Sequence, residues 1–424
     1  MDEKFNVLAR YNLWANEAPD LGYQRQLYTA PLRKLTGNRL VKVLVGQRRV
    51  GKSYILRQVA CGLVEQGVPV NNIFMLNKEL MAFDFVRNYT DLDHLFNLYL
   101  ERLKPTGKVY IFLDEVQNIE GWERFVNSYS QDYRIECEIF ITGSNSRMLS
   151  SELATLLSGR YVEIPVYSFS YDEFIGYHGA ARGLSSYQEY MHSTGLPEAY
   201  RLDDGEMRRY YVDSLRNTII LRDIVERNKV RDIALLEELF AYLVNNASSV
   251  ISLTGIVNYL KSQKRRVSYD TIATYVRYLE DVFLVYRANR YNIRGKAIVG
   301  GNAKYYLNDL AFHNYLYRGF GYGEGYLLEN AVYLELRRHG FDVYVGNIGQ
   351  HEVDFTAFHG DRVIYLQAAY SIGDEATARR EYSSLEAIND SYEKYVVTLD
   401  AFTHPLNKGI RHVAAWDLPS VLER

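Results

Sequence analysis

One stretch decides the fold of this chain: Gly46-Gln47-Arg48-Arg49-Val50-Gly51-Lys52-Ser53. It fits the pattern G-x-x-x-x-G-K-[ST], in which two glycines let backbone N–H groups turn inward around a chain of phosphates. The apolar run Leu40–Val45 before it predicts a buried strand, and Tyr54–Ala60 after it predicts a helix with an apolar face. The stretch therefore has the strand–loop–helix setting of a phosphate-binding loop.

The residue types of the loop suit nucleotide chemistry. Lys52 would reach the β- and γ-phosphates of ATP, and Ser53 would hold a Mg²⁺ ion. The expected nucleotide contacts are Gly46, Gln47, Arg48, Arg49, Val50, Gly51, Lys52, Ser53 and Tyr54. The loop alone does not distinguish ATP from GTP, because the base is bound by residues outside it.

A second motif, Leu113-Asp114-Glu115, ends the apolar run that begins after Lys108. At the tip of a strand beside the loop, Asp114 would support Mg²⁺ through water and Glu115 would polarise the attacking water. Acidic residues that end strands are often merely solvated. This pair, however, follows Lys52 by 62 residues with another predicted strand between, so the sequence favours hydrolysis over binding alone.

Strand and helix patterns alternate from Leu40 to Thr142, which predicts a parallel sheet with helices on both faces. Ligands bind beyond the carboxyl ends of such strands, where both motifs fall. The fourth predicted strand ends in Thr142-Gly-Ser-Asn145-Ser146. Thr142 or Asn145 would hydrogen-bond the attacking water, although the same residue types also form ordinary turns.

Composition limits the class of protein. The chain has 424 residues, 47% of them hydrophobic, and a net charge of −3, which suits two or three domains. It has no apolar run of the roughly 18 residues that cross a bilayer, and its first residues lack an export signal. Cys61 and Cys137 are too few for a disulfide framework or a zinc site. We therefore expect a cytoplasmic protein with no membrane partner.

Several stretches together resemble the AAA+-type ATP-binding proteins of bacteria and archaea that carry a C-terminal domain of unknown function. The stretches are Gly46–Ser53, Ile111–Gln117, Ile141–Ser146, Leu153–Tyr161, Gly195–Glu198, Tyr305–Asp309 and Leu328–Asn330. They extend over essentially the whole chain. The resemblance implies an ATPase of the AAA+ class.

The same resemblance gives Arg160 a candidate role. In ring-forming relatives an arginine beyond the fourth strand often reaches the nucleotide of a neighbouring subunit and stabilises charge on the transferred phosphate. By this analogy Arg160 would act in a homo-oligomeric ring. A surface ion pair is the alternative role.

Helical periodicity begins after Pro165. Ser170-Tyr-Asp-Glu173 predicts a capped helix start, and Met207–Arg227 and Ala234–Asn245 predict the helices of a lid. Residues Ser252–Leu307 predict a winged helix-turn-helix, with a second helix capped by Ser268 and a wing after it.

The winged-helix segment is basic. It has ten Lys or Arg and three acidic residues, a charge of +7 against −10 for the rest of the chain. We expect contacts with the phosphates of duplex DNA from Lys264, Arg265, Arg266, Arg277, Arg290, Arg294 and Lys296. The alternative is a structural or subunit-contact module whose basic residues are solvated.

The C-terminal residues resemble the PD-(D/E)XK nuclease fold. A predicted helix from Gly325 through Leu336 precedes strands at Phe341–Val345, His351–Phe355 and Val363–Ala369. In that fold an acidic residue on one strand and an E-x-K on the next hold a metal ion and activate water.

The motif is incomplete, because the positions of E-x-K hold Gln367 and Ala369. Asp354 fits its position and Glu329 would add a carboxylate, but Gln is a poor metal ligand and Ala provides no cation. We therefore expect the fold without nuclease activity. Glu352 and Asp354 would then form a solvated strand edge.

The sequence thus predicts an α/β chain in four parts. These are a P-loop, AAA+-like ATPase core (1–164), a helical lid (165–250), a winged helix (251–308) and a nuclease-like, inactive domain (309–424). The leading hypothesis is a Mg²⁺-dependent ATPase that acts on DNA or another protein. The alternatives are a slow scaffold that recruits a protein partner, and an ATP-dependent nuclease using Glu329, Glu352, Asp354 and Gln367.

Overall fold

The computed structural model describes residues 2–14, 19–146, 159–317 and 323–423. The chain divides into two compact units, Met1–Val166 and Tyr167–Arg424. Residues 153–158, which contribute to the family resemblance, lie outside the described residues. Within the described ranges, no helix has the length and apolar character needed to span a bilayer.

A five-stranded parallel sheet forms the centre of the first unit. Its strands are β1 (Val41–Val45), β2 (Ile73–Asn77), β3 (Val109–Asp114), β4 (Cys137–Gly143) and β5 (Tyr161–Pro165). They lie side by side in the order β2-β3-β4-β1-β5. The carboxyl ends of β1, β3 and β4 therefore share one edge, and the predicted α/β fold with a parallel sheet is confirmed.

Five α-helices lie in the described part of this unit, residues 2–14, 19–146 and 159–166. They are α1 (Asp2–Arg10), α2 (Gln26–Lys34), α3 (Lys52–Glu65), α4 (Tyr89–Leu103) and α5 (Trp122–Gln131). The predicted alternation from Leu40 to Thr142 is confirmed, with shifted ends. Helix α4 begins before the predicted Leu92, because Asn88 and Asp91 form a capping box that satisfies its first N–H groups. The sequence patterns predicted neither α1, α2 nor β5.

The residues after α1 cover the edge strand β2 with side chains. Asn12 donates to the carbonyl of Met75 at 2.9 Å and accepts from its N–H at 2.7 Å, and Trp14 donates to the carbonyl of Ile73 at 2.7 Å. These bonds satisfy backbone groups that an uncovered edge strand would present to other chains.

Strand β1 contains a buried charge. The Lys42 side chain pairs with Glu138 on the neighbouring β4, and both are fully buried. The two oxygens of Glu138 also accept from the N–H of Gly37, at 2.8 and 3.0 Å. A buried charge is tolerated when it is paired and hydrogen-bonded, so the otherwise apolar run Leu40–Val45 still forms a central strand.

The second unit combines helices with a mixed eight-stranded sheet. Its helices are α6 (Tyr171–His178), α7 (Leu184–His192), α8 (Gly205–Thr218), α9 (Ile233–Asn245), α10 (Leu253–Ser262), α11 (Tyr269–Asp281), α12 (Glu324–Arg338), α13 (Glu375–Glu386) and α14 (Leu418–Leu422). Helix α8 continues into wide, π-helical turns at Ile219–Glu226. The expected capping box of Ser170 and Glu173 starts α6.

The strands of this sheet are β6 (Val250–Ile251), β7 (Val285–Asn292), β8 (Ala297–Leu307), β9 (Asp342–Ile348), β10 (His351–His359), β11 (Arg362–Ala369), β12 (Glu393–Thr398) and β13 (Ile410–Ala414). Their order is β13-β12-β11-β10-β9-β7-β8-β6. Parallel pairing between β7 and β9 joins the hairpin β7–β8 to the C-terminal strands. One sheet therefore crosses the predicted division between residues 308 and 309.

Candidate nucleotide-binding site

The loop 46–51 joins β1 to α3 at the carboxyl edge of the first sheet. A Cβ at Gly46 would lie 2.2 Å from the carbonyl oxygen of Val166, so this position has no room for a side chain. Gly51 caps α3 with a φ of 95°, a left-handed conformation that favours glycine. Gly46 is thus required because a side chain would clash with Val166, and Gly51 is required because of its left-handed φ.

Lys52 is the first residue of α3 and is buried. Its ammonium donates to the carbonyls of Gly46 and Gln47, both at 2.9 Å, and lies 3.6 Å from Oε1 of Glu115. The side chain therefore curls back over the loop. A phosphate bound in the loop would lie within the reach of this cation.

Asp114 ends β3 and is buried beside the loop. It accepts a hydrogen bond from the hydroxyl of Thr142 at 2.5 Å and another from Ser53. Burial, with the nearby charge of Glu115, raises the pKa of Asp114 to about 6 despite these bonds and Lys52. Ser53 and Asp114 thus bring two hard oxygen ligands together, a donor set that suits Mg²⁺.

Glu115 follows in a left-handed conformation with a φ of 55°, which strains a residue other than glycine. One carboxylate oxygen faces Lys52, and the other accepts from Ser144 at 3.1 Å and from Gln117. Burial acts to raise the pKa of Glu115, but Lys52, Arg48 and these hydrogen bonds outweigh it and lower the pKa. Glu115 is therefore ionised near neutral pH.

Thr142 and Asn145 occupy the neighbouring end of β4. The Thr142 hydroxyl donates to Asp114 and accepts from the N–H of Glu115 at 2.9 Å, so it positions the carboxylate of Asp114 and the backbone of Glu115. Asn145 is buried two residues beyond the strand. Thr142 is thus committed to Asp114 and to the backbone of Glu115, whereas contact between Asn145 and the attacking water stays a prediction.

Arg160 lies at the opposite edge of the sheet. Its carbonyl accepts from the N–H of Val41 at 3.0 Å, at the amino end of β1, and its side chain is exposed. The structure thus separates Arg160 from Lys52 by the length of β1. A catalytic role for Arg160 would require the nucleotide of another copy of the chain.

The sequence did not predict three contacts that support the phosphate-binding loop. Arg48 pairs with Glu79 after β2, and this pair connects the loop to the next strand. The buried Arg25 donates to the carbonyl of Val50, and its N–H donates to the side chain of Gln58 at 3.1 Å. These partners are far apart in the sequence and meet only in the folded protein, so no sequence motif predicts the contacts.

A cavity of about 360 Å³ adjoins Ser53 and Asp114. It is also lined by Arg57 on α3 and by Asn77 at the end of β2. Among the described residues, no group of three or more His, Cys, Asp or Glu is arranged to hold a metal ion. A Mg²⁺ ion at Ser53 and Asp114 would thus depend on phosphate oxygens and water for its other ligands.

The basic residues predicted to contact DNA differ in how exposed their side chains are. Lys264, Arg266, Arg277, Arg294 and Lys296 are exposed, the last two at the turn of the hairpin β7–β8. Arg265 instead pairs with Glu238 on α9. Arg290 is half-buried where β7 pairs with both β8 and β9.

The C-terminal candidates converge on one cavity of about 740 Å³, lined by Glu329, Glu352, Asp354, Gln367 and Ala369 among others. Gln367 accepts from the N–H of Asp354 at 2.7 Å and donates to Glu381 at 2.8 Å. The prediction of a solvated strand edge for Glu352 and Asp354 missed their partner. Both pair with the buried Lys304, at 3.0 and 3.3 Å.

Comparison with known proteins places two domains on the chain. Residues 38–175 match a family described as an AAA domain, and residues 184–321 match a domain of unknown function, DUF8612. An uncharacterized protein of Haemophilus influenzae is 34% identical over 384 residues, which span 88% of this chain and 92% of the relative. An uncharacterized protein of Methanocaldococcus jannaschii is 29% identical over 381 residues, or 84% and 80%.

A solved structure shares the fold. The Walker-type ATPase PABY2304 of Pyrococcus abyssi has 15% identical residues and a TM-score of 0.50, covering 70% of this chain and 96% of that protein. This likeness supports the P-loop fold of the sheet and loop.

The close approach at Gly46 predicts a large effect of one methyl group. Gly46→Ala should destabilise the first unit by roughly 1–3 kcal/mol, because the loop must move away from Val166. Gly62→Ala is the matched control in α3, where the new methyl meets only the flexible end of Arg33, at 3.1 Å. Equal urea-unfolding midpoints for Gly46→Ala and wild type would contradict this packing.

The buried carboxyl of Asp114 predicts a pH-dependent stability. Its pKa of about 6 exceeds the value of about 3.9 in the unfolded chain, so stability is lost as pH rises between these values. Asp114→Asn should therefore be more stable than wild type above pH 6, by up to about 3 kcal/mol, with little difference below about pH 4. Urea unfolding at both pH values measures this, with exposed Asp84→Asn as control. A gain that does not change with pH would refute the assignment.

Proposed function

Because this chain belongs to the family of the Haemophilus influenzae relative, with an AAA domain at residues 38–175, we propose that it hydrolyses ATP with Mg²⁺ at its phosphate-binding loop. One observation supports this above all. Lys52, Ser53, Asp114 and Glu115 form one buried, hydrogen-bonded group at the carboxyl edge of the parallel sheet. This group combines a cation for phosphate, oxygens for a metal and an ionised base.

Phosphate binding would rearrange the contacts of Lys52. Its ammonium would exchange the carbonyls of Gly46 and Gln47 for phosphate oxygens, while the loop N–H groups and the amino end of α3 face the same anion. Bound Mg²⁺ would neutralise charge on the β- and γ-phosphates. Ser53 and Asp114 are the residues that would hold it.

Glu115 would then act as the base. Its contact with Lys52, at 3.6 Å, is one cause of its lowered pKa, so recruitment of Lys52 by a phosphate would make Glu115 more basic. Ser144 and Gln117 would keep the carboxylate in place for the attacking water. Asn145 would orient that water from the end of β4.

Two substitutions test these roles. Lys52→Ala should abolish ATP binding, whereas Glu115→Gln should keep binding and reduce turnover by about 10²–10⁴-fold, because the base is lost. Phosphate release and fluorescent-nucleotide binding measure the two effects. The exposed residues Lys34 and Glu120 provide matched controls, Lys34→Ala and Glu120→Gln. Wild-type turnover by Lys52→Ala would remove the assignment.

Arg160 would contribute only in an assembly. Its exposed side chain lies at the edge of the sheet away from the loop, so we propose that it faces the nucleotide of a neighbouring copy in a homo-oligomer. In that arrangement turnover per chain would rise with protein concentration in the wild type and stay constant in Arg160→Ala.

Duplex DNA is the partner that the second unit suits best. Helices α10 and α11, with the hairpin β7–β8, follow the spans expected of a winged helix, and Ser268 caps α11 as expected. The exposed cations Arg294 and Lys296 lie at the hairpin turn, and Lys264 and Arg266 at the turn between the helices. Such residues contact phosphates without reading sequence.

The DNA proposal predicts a salt dependence. Replacing Arg294 and Lys296 together by Ala should weaken binding to duplex DNA and reduce the slope of log K against log salt by about 2, one for each phosphate contact. Fluorescence anisotropy with a labelled duplex at several salt concentrations measures the slope. Arg231→Ala, which removes an exposed charge outside this segment, should leave it unchanged.

Two outcomes would favour the other functions. ATP turnover that DNA does not change, with tight ATP retention and capture of a protein partner, would support the scaffold. Metal-dependent nicking that Asp354→Asn abolishes would support the nuclease. We propose that the C-terminal cavity has no such activity, because both polar ends of the Gln367 amide are already bonded within the protein.

A further inference from the structure

A buried lysine lies behind three carboxyl groups that line the C-terminal cavity. The ammonium of Lys304, on β8, is 2.9 Å from Glu329, 3.0 Å from Glu352 and 3.3 Å from Asp354. Its side chain is only 5% exposed. Three carboxylates from a helix and a strand therefore converge on one buried cation.

Strand order makes this contact unexpected. In the sheet, β8 is separated from β10 by β7 and β9, and neighbouring strands lie about 4.8 Å apart. The pairing register shifts between Asn289 and Arg290 and between Val353 and Thr356, so the strands between them are irregular. The ion cluster thus connects β8 with β10, two strands that do not pair with each other.

Hydrogen bonds to other residues fix the positions of Glu329 and Asp354. Tyr306, two residues after Lys304 and on the same face of β8, donates to Glu329 at 2.7 Å. Asp354 accepts from the N–H of Ala368 at 3.0 Å, and its own N–H donates to Gln367. Glu352 is the most exposed of the three and lies in the lining of the cavity.

Charge accounts for the position of Lys304. Burial acts to lower its pKa, but Glu329, Asp354 and Glu352 outweigh burial and hold the pKa well above the usual value. Burial also raises the pKa of Glu329 to about 8 in spite of Lys304. Glu329 is buried and Asp354 largely so, and without a cation their ionised forms would carry a desolvation cost that the ammonium offsets.

We propose that Lys304 is the resident cation of this acidic cluster, occupying the place between Glu329, Glu352 and Asp354 that a divalent ion would otherwise take. The three oxygens lie slightly further from the ammonium than the roughly 2.0–2.6 Å of Mg²⁺ or Ca²⁺ ligands, as expected for hydrogen bonds. With Lys304 in place, the described residues include no group of three or more His, Cys, Asp or Glu that could hold a metal ion.

This assignment gives the cluster a mechanical role. Lys304 belongs to the hairpin β7–β8, whose turn carries Arg294 and Lys296, while its partners belong to α12 and β10. A covalently attached cation fixes the hairpin to the C-terminal strands permanently, whereas a metal ion would do so only at sufficient concentration. The inference does not depend on ATP hydrolysis or on DNA binding.

Binding of Mn²⁺ tests the proposal. Lys304→Met removes the charge and keeps an unbranched side chain, so this variant should bind one additional Mn²⁺ per chain, counted by electron paramagnetic resonance. The additional ion should be lost in Lys304→Met with Asp354→Asn. It should remain in Lys304→Met with Asp114→Asn, which alters the loop site instead.

Wild-type protein provides a test that does not depend on the folding of the variant. Wild type and Asp354→Asn should bind the same number of Mn²⁺ ions. A second measurement uses the variant: Mn²⁺ should raise the unfolding temperature of Lys304→Met more than that of wild type. A wild-type Mn²⁺ site that Asp354→Asn abolishes would overturn the proposal. So would a folded Lys304→Met protein that binds no additional ion.

Discussion

Two buried carboxylates lie side by side at the carboxyl edge of the first sheet, and the rest of the site depends on keeping them there. Asp114 and Glu115 would repel each other and lose hydration without compensation. Lys52 offsets the charge, Thr142 bonds both residues, and Ser53, Ser144 and Gln117 satisfy the remaining oxygens. The environment thus splits the two carboxyl groups, with a raised pKa at Asp114 and a lowered pKa at Glu115.

The second unit also compensates carboxyl groups with a buried lysine, but the lysine makes different contacts. There the cation comes from strand β8 instead of the start of a helix, and Lys304 is bonded to carboxyl groups where Lys52 is bonded to backbone carbonyls. A lysine that holds carbonyls can be recruited by a phosphate at small cost. A lysine held by three carboxyl groups cannot leave without removing the charge compensation of the largely buried Asp354, so we assign chemistry to the first site and structural support to the second.

The sequence predicted the parallel sheet, the loop and the acidic pair, because each is encoded within a few consecutive residues. Gly46 and Gly51 mark a backbone requirement, and Asp114 and Glu115 end a recognisable strand. It missed Lys304, whose partners lie 25 to 50 residues away and belong to other elements. Such contacts depend on how distant elements pack in the folded chain, which no local pattern specifies.

The central claim is that the buried group at the loop hydrolyses ATP. Single-turnover hydrolysis of γ-labelled ATP by the purified chain, with Mg²⁺ and with a chelator, tests this claim most directly. The account predicts release of labelled phosphate that requires Mg²⁺ and follows the ionisation of Glu115 with pH. Bound ATP that stays intact in Mg²⁺, or release that is equal with the chelator, would contradict it.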